Sequence, residues 1–127
     1  MRQTINLFSL GIILIALTGC GNSSTSKVSF SKQVYPILTS RCLSCHTSEG
    51  EGYKKSGLSM ETYDALMKGT KFGPVIVPGN PLSSSLVLLI EGKADPAITM
   101  PHGSLQILPQ QERDTIKQWI QQGAENN

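Results

Sequence analysis

Two cysteines and a histidine stand within five residues, Cys42-Leu43-Ser44-Cys45-His46, and this CxxCH run constrains the chain more than any other feature. Thiols at that spacing can each form a thioether with a vinyl group of one porphyrin. The histidine directly after them is then held beneath the iron as its proximal ligand. The pentapeptide is the attachment signature of c-type haem, and imidazole is a common proximal ligand to haem iron. It predicts one covalently held haem, with loops and helices packed around a flat apolar plate. A CxxC pair has rival uses: a redox dithiol, half of a zinc site, or a structural disulfide. A zinc site needs two further Cys or His, and outside the pentapeptide the chain offers only Cys20 and His102. A dithiol oxidoreductase wants a βαβ setting, and the residues around 42–46 show no such pattern.

The first nineteen residues read as an address. Arg2 supplies a positive start, and Leu7 to Leu17 is apolar except for Ser9 and Gly11. That run is shorter than a membrane span and has the layout of a signal peptide. Its ending, Leu17-Thr18-Gly19-Cys20, resembles the lipobox of bacterial lipoproteins, in which cleavage before the cysteine leaves Cys20 as a lipidated first residue. Buried acyl chains contribute about 0.8 kcal/mol per methylene, so several chains anchor stably. The three cysteines are then fully assigned: Cys20 to lipid, Cys42 and Cys45 to haem. By analogy with lipoprotein sorting, Gly21 rather than Asp leans toward the outer membrane. The expectation is an exported protein, lipid-anchored to a bacterial membrane and facing the periplasm.

The small polar residues that follow make 20–29 a lipidated flexible tether, and 30–127 a single domain. Eleven Lys and Arg stand against nine Asp and Glu, and loss of Arg2 brings the mature chain near neutrality. Nucleic acid would call for a basic patch, which is lacking. Phe30, Val34, Ile37 and Leu38 form one helical stripe leading into the CxxCH, with Pro36 expected to distort its first turn. A second helix is expected over Met60–Lys68, with Ser59 as cap and Gly69 as stop. A third should follow Asn80-Pro81, with Leu82, Leu86, Leu89 and Ile90 inward and Gly92 ending it. The last opens at Pro109, carries Glu112 in its first turn and Ile116, Trp119 and Ile120 on one side, and closes at Gly123. Residues 47–57 and 91–108 read as polar, Gly- and Pro-rich connections, and Val75-Ile76-Val77 is too short to be a convincing strand. The fold class expected is all-α, about four helices with long loops.

In that order of parts the chain resembles class I c-type cytochromes, and in detail the cytochrome c-like domains of planctomycetes. Pro36-Ile37-Leu38, Arg41-Cys42, Gly57-Leu58 with Tyr63, Val77-Pro78-Gly79-Asn80-Pro81, Met100-Pro101 and Trp119-Ile120-Gln121-Gln122-Gly123-Ala124 carry the likeness over roughly 28–124. The resemblance implies that the first and last helices cross, bringing Phe30 and Val34 onto Trp119 and Ile120. It also implies that the Met-Pro methionine binds the iron.

The residues themselves leave four candidates for the sixth iron ligand: Met60, Met67, Met100 and His102. Met60 and Met67 share a helical stripe, which core packing explains. Met100 lies in a loop, and Pro101 biases it toward an extended backbone that presents the thioether away from any helix. His102, two residues on, reads as an exposed loop histidine able to substitute at alkaline pH or after oxidation of Met100. With His46 and Met100 both bound, the protein carries electrons to and from redox partner proteins and catalyses nothing. Lys54, Lys55, Lys68 and Lys71 could steer acidic partners, interspersed as they are with Glu49, Glu51, Glu61 and Asp64. An open sixth site would instead make a haem peroxidase or gas sensor.

Overall fold

The computed structural model describes residues 26–102 and 107–127. Among them the chain is helical, with no strand beyond an isolated bridge between Thr70 and Gly73. A π-helical turn, Phe30–Val34, runs into α1 (Tyr35–Arg41); α2 (Glu51–Ser56) and α3 (Tyr63–Lys68) follow. A 3-10 turn, Pro81–Ser83, precedes α4 (Ser85–Ile90), and α5 (Gln110–Gln121) closes the fold. The all-α expectation holds, with five α-helices rather than about four.

Pro36 explains the unusual opening. Lacking an N–H, it cannot donate the α-helical bond to Lys32, and its ring would crowd that carbonyl. The chain widens instead: Val34 N–H bonds Ser29 O at 3.2 Å and Tyr35 N–H bonds Phe30 O, both across five residues. Ser29 caps the turn by accepting from Lys32 N–H. Phe30, Val34 and Leu38 are buried, while Ile37 is only half-buried.

That stripe meets α5 as the resemblance implied. The Phe30 and Trp119 rings lie 5.4 Å apart, and Tyr63 from α3 stands edge-on to Phe30 at 5.2 Å. Each such pair adds about 0.5–1.5 kcal/mol beyond area burial. Both polar handles are satisfied by the chain that leaves α5: Trp119 Nε1–H donates to Glu125 O (2.9 Å) and Tyr63 O–H to Ala124 O (2.8 Å). The same tail holds the domain's entry. Val28 N–H donates to Gln122 Oε1, Phe30 N–H to Asn127 Oδ1, and Asn127 Nδ2–H to Val28 O.

Three expectations shift by a few residues. Thr62, not Ser59, caps α3 by accepting from Ala65 N–H at 3.1 Å, and the helix begins at Tyr63. Asn80-Pro81 does start a capped turn, but only a 3-10 one, and Leu82 is 84% exposed rather than inward. The buried Ser84 hydroxyl causes the break. It accepts from Val77 N–H and donates to Asn80 O, both at 2.9 Å, bending the chain before α4 restarts with Leu86, Val87 and Ile90 inward. The segment expected as connection at 47–57 contains α2.

Two ion pairs draw distant parts onto α5. Arg41 grips Glu112 with two parallel bonds of 2.7 and 2.8 Å, joining the end of α1 to the first turn of α5. Glu91, at the end of α4 and 11% exposed, takes Lys117 and Lys93 at 2.7 Å each. Hydrogen bonding from those two ammonium groups holds the Glu91 carboxyl below the usual carboxylate range. A carboxylate favoured in the folded state contributes stability above its unfolded pKa and loses it as pH falls through the folded one. Glu91→Gln should therefore be less stable than the wild type near neutrality, by about 1 kcal/mol. The gap should close as pH drops below roughly 4.3. Thermal unfolding at stepped pH reads this directly; a gap unchanged in acid contradicts it.

Candidate functional site

The CxxCH segment continues the winding of α1. Cys42 N–H and Leu43 N–H both bond Leu38 O, and a turn follows in which Cys45 N–H and His46 N–H both return to Cys42 O. Cys42, Cys45 and His46 are thus brought together on one rigid turn. The turn leans on the core through half-buried Cys42 and Leu43. Cys45 is exposed, and no disulfide joins it to Cys42. Burial pushes the Cys42 thiol up to about 11, assisted by the negative charge of Glu112 and opposed by Arg41. A thioether has no proton to lose, so a site that disfavours the thiolate is compatible with Cys42 in alkylated form.

His46 is the most constrained side chain of the group. It is buried, and its Nδ1 lies 3.1 Å from Leu58 O. A carbonyl only accepts, so Nδ1 must carry the proton and donate. Nε2 is left with its lone pair, the atom a proximal imidazole offers to iron, and a backbone carbonyl fixing the opposite nitrogen is the usual partner of a ligating histidine. The residues present fit a haem of the c type.

Neighbouring backbone builds this posture. Met60 N–H bonds His46 O at 2.8 Å, and the first N–H groups of α2, from Gly52 and Tyr53, converge on Cys45 O at 2.9 and 3.2 Å. The Cys45 carbonyl therefore satisfies donors that a helix start leaves unpaired. Close approach demands glycine twice. A Cβ on Gly50 would overlap the Cys45 carbonyl oxygen, and one on Gly52 would stand 2.8 Å from both Cys45 O and His46 Cε1.

The remaining candidates divide. Met60 is 3% exposed and Met67 half-buried, both packed with the core, although Met60 lies before α3 and not on its stripe. Met100 stands in the loop after α4, half-buried, its N–H bonded to Leu89 O at 3.2 Å, and a cis peptide joins it to Pro101. His102 is exposed. Cys20 lies outside the described residues. Lys54 pairs with Glu51 at 2.8 Å, and Lys71 N–H bonds Ser56 O, which sets the 70–73 turn beside the end of α2. Sequence reasoning missed the Leu58 carbonyl and the two glycines. The spacing Gly50-x-Gly52 just after the CxxCH was the available signal.

Among the described residues no three or more His, Cys, Asp or Glu gather as a metal site of their own. Residues 42–102 match the family described as Planctomycete cytochrome C. The match supports a cytochrome c-like domain in this chain. Searches of curated proteins and of solved structures gave no match. The matched segment runs from the first cysteine of the CxxCH to His102, and leaves α1 and α5 outside. Haem binding and electron transfer are the coarse function this family implies. No helix among the described residues of this cytochrome domain is long and apolar enough to cross a membrane.

The close contacts of Gly52 yield a prediction. Gly52→Ala should cost about 1–3 kcal/mol, because the new methyl meets a backbone oxygen and a buried ring rather than a flexible side-chain end. Denaturant unfolding checks it, and wild-type stability would mean that the His46 turn yields more easily than its packing implies.

Proposed function

We propose that this protein is a membrane-anchored monohaem cytochrome that carries electrons through iron held by His46 and Met100. Cys42 and Cys45 attach the haem, and lipid on Cys20 anchors the chain at a bacterial membrane facing the periplasm. The observation that carries this reading is the bond from His46 Nδ1–H to Leu58 O, which leaves Nε2 free to ligate at the end of a CxxC turn.

When bound, haem supplies the one-electron ferric/ferrous couple. The chain's residues set how well that couple works. His46 is held on both sides, by its ring at Leu58 and its carbonyl at Met60, so the imidazole has little freedom to reorient when the metal's charge changes. Gly50 and Gly52 let α2 close over the same turn. Met100, fixed to the last turn of α4, offers a neutral thioether that favours the ferrous state. With His46 and Met100 both serving as iron ligands, no coordination site would be left for a substrate, and the protein would transfer electrons without catalysing a reaction. Two thioethers keep the cofactor from being lost outside the cytoplasm.

Met100→Ala should let the reduced protein bind carbon monoxide. The reduction potential should fall by on the order of 0.1 V, a fraction of the roughly 0.8 V range that axial ligands span. Unchanged spectra and potential would exclude Met100 and favour a site open from the start. Cys20→Ser, expressed in a diderm bacterium, should move the protein from the membrane to the soluble periplasmic fraction. Retention in the membrane would overturn the lipid anchor while leaving the haem reading intact.

A further inference from the structure

Glu61 precedes α3 by two residues, where an acidic side chain ordinarily serves the helix start. It does not do so here. Thr62 is the cap of α3, and the Glu61 carboxylate turns away from the helix toward the segment after the CxxCH. Its Oε2 accepts from Ser48 N–H at 2.9 Å and from the Ser59 hydroxyl at 3.0 Å. Glu61 N–H in turn reaches Ser59 Oγ at 3.3 Å, and Glu61 O accepts from the Tyr35 hydroxyl of α1 at 3.0 Å. The Glu61 side chain therefore ties Ser48 to Ser59, while its backbone carbonyl is tied to α1.

The two segments joined this way are those that frame the imidazole. Ser48 lies two residues after His46. Ser59 directly follows Leu58, whose carbonyl takes the Nδ1 proton. Between these ties, Met60 N–H bonds His46 O. We propose that Glu61 is a positioning residue for the axial histidine, buckling residues 46–48 to residues 58–61 so that the Leu58 carbonyl stays against Nδ1. The inference rests on His46 being the iron ligand and deepens that reading. A carbonyl held close to Nδ1–H strengthens the imidazole as a donor, which favours the oxidised metal. Loosening the buckle weakens that donation and raises the reduction potential.

Charge alone would also raise the potential when Glu61 is neutralised, so the variants must separate shape from charge. Glu61→Gln removes the charge but keeps an oxygen able to accept both bonds; Glu61→Ala removes both. Ser59→Ala leaves every charge in place and removes one arm of the buckle, and it remains informative if Glu61→Ala fails to fold. In the full-length exported protein, NMR exchange of the Ser48 amide and of the His46 Nδ1 proton is followed with the reduction potential. Glu61→Ala should speed both exchanges about tenfold, the effect of losing one charge-assisted bond, and raise the potential. Glu61→Gln should keep exchange near the wild-type rate, and Ser59→Ala should move exchange and potential in the same direction as Glu61→Ala by a smaller factor. Wild-type exchange in Glu61→Ala, or identical exchange and potential in the Ala and Gln variants, overturns the proposal. If the wild type holds no haem, the ligand reading fails instead, while Ser48 exchange, which needs no haem, still decides whether Glu61 acts as a buckle.

Discussion

The bond between the His46 ring and the Leu58 carbonyl joins a local turn to the rest of the molecule. A histidine at the end of a CxxCH can point anywhere that its rotamers allow. Here the ring is buried, its Nδ1 proton is committed to a backbone oxygen, and its own carbonyl is taken by Met60. A buried imidazole without such a partner would leave a polar group unsatisfied, at a cost of about 1–3 kcal/mol. The loop from Thr47 to Ser59 is shaped to avoid that. Gly50 and Gly52 allow close approach, the short helix converges on Cys45 O, and the far end brings Leu58 back to the ring.

That arrangement needs a stable platform, and the packing of the π-helical turn against α5 provides one. Phe30, Tyr63 and Trp119 come from three separate elements and meet as a cluster of rings. Their polar atoms are bonded to the tail that follows α5, and the tail also grips the segment where the domain begins. Arg41, the residue before Cys42, is forked onto Glu112 of α5. The attachment turn is thereby connected to the longest helix by one ion pair as well as by packing. Exposed pairs alone contribute little. This one has two-point geometry and a partner only 24% exposed.

What could be read from the sequence follows from where the controlling interactions lie. The stripe from Phe30 to Leu38 and that of α5 depend on side-chain periodicity and stand as expected, as does the distortion at Pro36. Met60 is in the core as expected, but from the segment before α3 rather than from a helical stripe. Asn80-Pro81 correctly marked a capped turn. The stop at Ser84 depends on a buried hydroxyl reaching Val77 and Asn80, which no local pattern shows. Helix α2 has no apolar stripe and contains Gly52; its start is satisfied by Cys45 O, a tertiary contact. For the site, the CxxCH marked Cys42, Cys45 and His46 as candidates, and the structure holds them on one turn. The carbonyl that orients the histidine belongs to Leu58, and a backbone oxygen leaves no signature in residue type.

All of this turns on a porphyrin being bonded to Cys42 and Cys45. The direct measurement is intact mass together with the pyridine haemochrome spectrum of the exported protein, made in a host with a competent cytochrome maturation system and then denatured. One haem per chain remaining with the unfolded polypeptide, with the spectrum of a porphyrin saturated at both vinyl positions, is the expected result. A colourless polypeptide, or haem that separates on denaturation, would contradict the account.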